Sequence, residues 1–334
     1  MKHINVALFV VHKGCPHMCS FCNQRSISGS QKEITPDEVR SAAETAMASL
    51  TAGEAAGGEI AFFGGSFTMI ERGYMISLLE AAYEYVENGV FKGIRISTRP
   101  DGISEEICKI LKKYGVTAVE LGAQSLDDRV LELNERGHTA KQVEDAVSLL
   151  KDFGFEVGLQ MMTGLYGSED SDSIETARRI VEMKPDTVRI YPTVVIKGTR
   201  LHELMLTGEF VPKGIDETVE LCAEIIPMFE NAGIKIIRVG LHSGGGVEGD
   251  FAGGAYHPAL RELCEGRIYY DIALGKLREK DCGKYLLAVN EKEISKMTGQ
   301  KKQNLIKLQS LGYDCSVEGR ADMPKYEVAV IHKG

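Results

Sequence analysis

Short apolar runs alternate with amphipathic stretches along most of this chain, and that alternation limits its fold more than any other feature. Residues 4–11, 59–63, 93–98, 118–122, 156–162 and 187–195 read as strands, and residues 35–50, 75–87, 104–113, 140–153, 173–183 and 216–232 read as helices. Thr35-Pro36-Asp37-Glu38 supplies an N-cap, a first-turn proline and acids at the positive end of a helix dipole. Gly115, Gly154 and Gly233 each follow a last helical turn, where glycine enters the left-handed region most easily. Six or so βα repeats imply parallel strands joined by crossovers, either an open doubly wound sheet or a whole or partial barrel. A seventh run, 234–241, can add an edge strand, and a glycine-rich connection, 243–249, follows it. Beyond lie a helical region at 258–280, a strand at 285–290, a helical stretch at 291–311 and strands near 313–318 and 326–332. These form a small α/β unit, so the expected division is 1–243 and 244–334.

The 334 residues are 43% hydrophobic and 26% charged, proportions that exclude disordered, collagenous and disulfide-scaffold classes. No apolar run approaches the roughly 20 residues that span a bilayer. Met1-Lys2-His3 does not open a signal peptide. The expectation is a cytoplasmic protein without a membrane partner, its thiols reduced. The net charge of -9 hides a step: residues 276–334 carry 12 Lys+Arg against 8 Asp+Glu, +4, while the first 275 carry 27 against 40, -13. Near the tail, Gly299-Gln300-Lys301-Lys302-Gln303-Asn304 nicks a basic helix pair with glycine, loosely like an RNA-binding loop, although a lysine run is more often a solvated helix face. RNA therefore stays open as a partner, as does the oligomeric state.

Three of eight cysteines crowd together in Gly14-Cys15-Pro16-His17-Met18-Cys19-Ser20-Phe21-Cys22, just after the first strand. Three thiolates can hold three irons of a 4Fe-4S cubane and leave the fourth open to substrate. Soft thiolates suit zinc as well, but structural zinc wants four ligands, and His17 sits awkwardly within the same loop. The other cysteines are scattered. Cys264, Cys282 and Cys315 form no compact pair that would hold a second cluster, and Cys222 reads as core packing. His242 and His257 read as capping or hydrogen-bonding groups that could also line a pocket.

The Cys-x3-Cys-x2-Cys loop, with Phe21 before its last cysteine, resembles the signature of the radical S-adenosylmethionine (SAM) superfamily. Phe62-Phe63-Gly64-Gly65-Ser66-Phe67-Thr68 resembles that superfamily's glycine-rich second-strand motif. Ser97-Thr98-Arg99-Pro100-Asp101, Val119-Glu120-Leu121-Gly122-Ala123-Gln124-Ser125, Asn134-Glu135-Arg136-Gly137-His138-Thr139, Gly164-Leu165-Tyr166-Gly167-Ser168 and the run from Arg189 to Thr199 resemble the radical domain of the Elongator catalytic subunit. The likeness covers residues 5–243 in order.

The resemblance implies a partial parallel (β/α) barrel of about six strands with a small C-terminal α/β subdomain. It implies a 4Fe-4S cluster on Cys15, Cys19 and Cys22, and SAM bound by Gly64, Gly65, Ser66, Arg99, Gln124 and Ser125. It also implies reductive cleavage to a 5′-deoxyadenosyl radical, an external electron donor such as flavodoxin or ferredoxin, and modification of a substrate that can be tRNA. The residue-level alternatives are an N-cap role for Gln124 and a surface ion pair for Arg99. Two departures stand out. Ser97 occupies the place of a glutamate in the Elongator subunit, and nothing in these residues resembles an acetyltransferase domain, so the likeness is to Elongator-like radical enzymes standing alone. An RNA-binding module with a structural cluster and a zinc-stabilised scaffold are the competing readings.

Overall fold

The computed structural model describes residues 4–10, 15, 18–23, 33–241 and 247–333. His17, His242 and residues 243–246 of the glycine-rich connection lie outside them.

Strands β1 (Asn5–Val10), β2 (Glu59–Gly64), β3 (Gly93–Thr98), β4 (Val116–Gln124), β5 (Glu156–Thr163), β6 (Thr187–Pro192) and β8 (Lys235–Val239) form one sheet in that order. Every pairing is parallel. A doubly wound sheet reverses its strand order partway. Here the order never reverses, so successive crossovers keep to one side and the sheet curls into a partial barrel, with β1 and β8 as its edges. The expected fold is borne out, with the run at 234–241 supplying the seventh strand.

Most crossovers carry the expected helices: α1 (Pro36–Ser49), α3 (Arg72–Glu87), α4 (Glu105–Lys113), α6 (Ala140–Asp152) and α7 (Asp170–Met183). Local chemistry starts them. Thr35 and Glu38 form a reciprocal capping box on α1, and Thr139 and Gln142 form another on α6. Buried Val39 and Ala43 of α1, and Met75, Leu78, Leu79 and Ala82 of α3, supply the apolar faces that cover the barrel. Short helices α2 (Ala52–Ala56) and α8 (Arg200–Thr207) were not anticipated, being too brief for a periodic signal, whereas α5 (Asp128–Leu133) is the helix that an N-cap role for Gln124 presupposed.

The expected strand at 187–195 is two. After Pro192 the chain turns, Thr193 N–H bonds Thr163 O over 2.9 Å, and β7 (Val194–Ile196) pairs antiparallel with β9 (Phe251–Gly254). Val195, Leu201, Leu204 and Phe210 form a small apolar cluster there, with Phe21 of the cysteine loop packed against it.

The chain divides into two compact units, residues 1–213 with 228–255, and residues 214–227 with 256–334. The anticipated junction near 243 adjoins the undescribed stretch, and the packing boundary comes at 255/256. Helix α9 (Ile215–Asn231) crosses the division at 227/228, and the four-residue α10 (Val247–Asp250) precedes β9. The second unit holds α11 (Leu260–Leu277), β10 (Gly283–Asn290), α12 (Ile294–Thr298), α13 (Gln303–Ser310), β11 (Tyr313–Arg320) and β12 (Ala329–His332). Its sheet runs β11-β10-β12, parallel between β10 and β11 and antiparallel between β10 and β12. Tyr269, Leu277, Leu287, Val289, Met297, Leu308 and Val328 fill its own core.

Candidate active site

In a parallel barrel, functional groups gather where strands end and loops begin. The cysteine loop follows β1, and the structure ties it down through Ser20. That residue's N–H bonds Asn134 O (3.1 Å), its Oγ donates to Asn134 Oδ1 (2.8 Å), and its carbonyl accepts from Leu201 N–H (2.8 Å). Asn134 is fixed in turn by donating Nδ2 to the carbonyls of Val130 (2.8 Å) and Tyr166 (2.9 Å). Three separate segments of the barrel therefore set the position of Ser20 and hence of Cys19 beside it.

Cys19 is buried, Cys22 half-buried and Cys15 exposed, all as free thiols. Burial, followed by the charges of Cys19 and Cys15, pushes the Cys22 thiol up to about 12. Desolvation by surrounding protein atoms likewise raises Cys15, although its side chain reaches the surface, against the lowering effect of Arg136. Among the described residues, no three His, Cys, Asp or Glu side chains converge closely enough to hold a metal ion as they stand. The donor set nonetheless suits an iron-sulfur cluster: three soft thiols within electrostatic reach of one another, with Arg136 Nη1 donating to Cys19 Sγ over 3.4 Å.

Beside this loop, Gly64 ends β2 opposite Val10. Its φ is +108°, and an added Cβ would lie 2.9 Å from Val10 O, so only glycine fits. Gly65 N–H donates to Val10 O (2.9 Å), which leaves the carbonyls, not this N–H, to meet a ligand. Ser66 is buried and fully engaged: its Oγ bonds Thr98 Oγ1 (2.9 Å) and accepts from Arg99 N–H (3.2 Å). Ser66 therefore ties the end of β2 to the end of β3.

Arg99 is buried and forms a two-pronged pair with Asp101 (2.8 and 2.9 Å). The surface ion pair weighed for it is thus a buried one, and its Nη1 has no partner. Gln124 sits at φ +67° with its buried Oε1 unpaired. It caps no helix, because Asp127 takes that role by accepting from Val130 N–H over 3.0 Å. Ser125 Oγ accepts from Asp127 N–H (3.1 Å). Unpaired buried polar atoms on Arg99 and Gln124, beside a glycine-lined strand end, make a cradle with hydrogen-bonding capacity in reserve.

Sequence reasoning left the barrel's concave face without roles. Side chains alternate along a strand, so Glu120, Gln160, Arg189 and Tyr191 share that face with Arg95. Arg189 makes a two-pronged pair with Glu120 (2.7 and 2.8 Å), Gln160 Nε2 adds a third bond at 3.0 Å, and the Arg95 guanidinium bridges Glu59 and Glu156 at 2.7 Å each. The Arg189 guanidinium also lies 5.7 Å from the ring centre of Phe63 on non-adjacent β2, so side chains meet across the interior. Burial alone would lower the Arg189 pKa, but the Glu120 charge and hydrogen bonds raise it above its ordinary value. Burial raises Tyr191 and lowers Arg238. The readable signal was a lone charge inside an apolar run, as in Val119-Glu120-Leu121 and Val188-Arg189-Ile190.

His138 was also given no role of its own. It is buried, its Nε2 lies 3.2 Å from Ala123 O, and its Nδ1 is unpaired. His257 shows the ordinary alternative, accepting from Ala259 N–H at a helix start (3.1 Å). Cys222 and Cys264 are core residues with no exposure.

A family model described as "Radical SAM superfamily" matches residues 9–180. The chain belongs to the radical SAM superfamily. A model described as "Radical_SAM C-terminal domain" matches residues 185–270. This radical SAM enzyme is 40% identical over 129 residues to the tRNA uridine(34) acetyltransferase of Methanocaldococcus jannaschii, an alignment covering 38% of this chain and 24% of that protein. It is 35% identical over 161 residues to human Elongator complex protein 3, covering 47% and 29%. The chain thus spans less than a third of these relatives' lengths. The solved structure of an N-terminally shortened Elp3 from Methanocaldococcus infernus superposes with a TM-score of 0.62 at 24% identity, over 84% of this chain and 66% of that one, which establishes the shared fold. Members of the superfamily use SAM and a 4Fe-4S cluster. Among the described residues, no helix is long and apolar enough to cross a membrane.

Proposed function

We propose that this radical SAM enzyme modifies tRNA in the cytoplasm, using a 4Fe-4S cluster held by Cys15, Cys19 and Cys22. The observation that carries this reading is the anchored cysteine loop facing the Gly64 strand end and the unpaired atoms of Arg99 and Gln124. When bound and reduced by one electron from a donor such as flavodoxin or ferredoxin, the cluster supplies cleavage of SAM to methionine and a 5′-deoxyadenosyl radical.

The chain's own residues then have distinct tasks. Ser20 and Asn134 fix the loop, and Arg136 places positive charge on Cys19. The Gly64 and Gly65 carbonyls accept from the amino group of SAM, Gln124 and Ser125 orient its ribose and methionyl part, and Arg99 lines the cavity. Ser66 positions Arg99 from behind. The concave face with Glu120, Gln160, Arg189 and Tyr191 receives the substrate and excludes water, so a radical formed there meets only the intended C–H bond. Support for tRNA comes from the names of the aligned relatives. Acetyl transfer is no part of the proposal, since the alignments cover only 24% and 29% of those relatives.

Anaerobic reconstitution followed by reduction tests the reading. About four irons per chain and formation of 5′-deoxyadenosine support it. With deuterated tRNA, label in 5′-deoxyadenosine identifies the substrate class. Reduction without SAM cleavage would overturn the enzymatic assignment.

A further inference from the structure

The second unit beyond residue 270 lies outside both family models, yet it is independently built. Strand β10, helices α12 and α13, and strand β11 form a βααβ unit whose two strands are parallel and in continuous register from Gly283↔Tyr313 to Asn290↔Arg320. The two helices are joined by Gly299-Gln300-Lys301-Lys302.

This joint is held from beneath. Buried Asn304 donates Nδ2 to the carbonyls of Gly266 (2.8 Å), Lys296 (3.1 Å) and Met297 (3.1 Å), tying α13 to α11 and α12. Gly299 has φ +74°, and a Cβ there would lie 2.9 Å from the Asn304 side chain, so the glycine is required. Lys301 and Lys302 both occupy the left-handed region, at φ 51° and 63°, where glycine fits without strain. Both are exposed, and neither side chain has a hydrogen-bond or ion-pair partner among the described residues.

Two neighbouring cations behave differently. Lys296 is bound by Glu265 and Glu293 at 2.7 Å each, and Arg267 by Glu220 and Asp271. The loop lysines are therefore unneutralised charge, projected from a rigid joint in the +4 segment of a chain that is otherwise -13. No aromatic ring stands among residues 291–312 to stack a base.

We infer that this loop clamps the phosphate backbone of single-stranded RNA. A glycine loop between paired helices is the device by which KH modules hold four backbone nucleotides in a GXXG loop, and here Lys301 and Lys302 supply charge, Lys302 at the place of the second glycine. Backbone contact without stacking makes the grip tolerant of sequence. The inference rests on the reading that the chain acts on RNA, and it names the surface that delivers RNA to the chain.

Fluorescence anisotropy on the reconstituted full chain, with a labelled single-stranded RNA dodecamer and the same sequence as a duplex, tests it across a salt series. The single strand should bind more tightly. The double variant Lys301→Glu, Lys302→Glu should lose tenfold or more in affinity. Lys301→Gly with Lys302→Gly, which relieves the backbone strain, should reduce the salt slope by about 1.4, since each phosphate contact on a single strand contributes about 0.7. Lys→Arg at both sites should retain binding. SAM cleavage without RNA should be unchanged in all three. Unaltered binding by the glutamate variant, equal binding of duplex, or equal competition by poly-glutamate would overturn the inference. If deuterium passes from tRNA with unchanged KM in the glutamate variant, this inference falls and the proposed substrate stands. If RNA binds through the loop but no label transfers, the reverse holds.

Discussion

Arg136 and Cys19, 117 positions apart in sequence, meet at 3.4 Å, with the guanidinium Nη1 donating to the thiol sulfur while Nη2 donates to Gly122 O at 2.6 Å. One buried arginine thus joins the cysteine loop to the interior of β4. Gly122 has to be glycine for this, because a Cβ there would fall 2.7 Å from Nη2.

A positive charge and a hydrogen bond on a cluster thiolate stabilise the reduced state. Arg136→Met should therefore make the midpoint potential of the reconstituted cluster more negative by on the order of 50 mV, close to the 59 mV of a tenfold change in a one-electron equilibrium. Redox titration followed by electron paramagnetic resonance reads this directly. An unchanged potential would confine Arg136 to holding Gly122.

The loop itself offers a second test. Cys19→Ala should abolish both the cluster absorbance and SAM cleavage, whereas Cys222→Ala should leave four irons per chain in place, because Cys222 is a core residue.

Burial, reinforced by the charges of Arg136 and Arg99, lowers the His138 pKa from 6.5 to about 3. The folded state thus keeps His138 neutral where the unfolded chain takes up a proton. The stabilisation is fully present above about pH 6.5 and is lost as pH falls from there toward 3. By pH 5 the loss reaches about 2 kcal/mol, one pKa unit being about 1.36 kcal/mol. Denaturant titrations at pH 7 and pH 5 should show that slope, and His138→Asn should flatten it.

Glu120 has almost no exposure and faces Arg189 and Arg95. Glu120→Gln leaves buried guanidinium charge uncompensated, at a cost of about 3–5 kcal/mol. A drop in melting temperature on the order of 10 °C follows, at about 2–4 °C per kcal/mol for a unit of this size. Replacing Glu120 by Leu together with Arg189 by Met should recover much of the loss, and equal destabilisation in single and double variants would refute the pairing.

Gly64→Ala places a Cβ against the Val10 backbone at a φ of +108°. Neither partner can move without shifting the β1–β2 pairing. The variant should be destabilised by about 2 kcal/mol or more and should bind SAM more weakly, as calorimetry and equilibrium dialysis can establish.

Much of this protein was legible one residue at a time. Strand and helix identities follow from periodicity and from caps such as Thr35 with Glu38, both set by neighbours within one or two turns. Cysteine spacing singled out the loop after β1 for the same reason, since three thiols within eight positions need no tertiary information to be near one another. The break in the helical stretch at 291–311 was signalled by Gly299 alone.

Tertiary structure decided what spacing cannot encode. That Ser66 braces Arg99, that Asp127 and not Gln124 caps α5, and that Arg136 reaches Cys19 all depend on loops from different strands converging at one end of the barrel. The Glu120–Arg189 pair depends on parallel register from β4 through β6, and its approach to Phe63 on β2 on the curl of the sheet. A charged residue in an apolar run can be recognised in the sequence, but its partner is chosen only when the barrel brings strands 69 residues apart into contact and burial makes an unpaired charge intolerable.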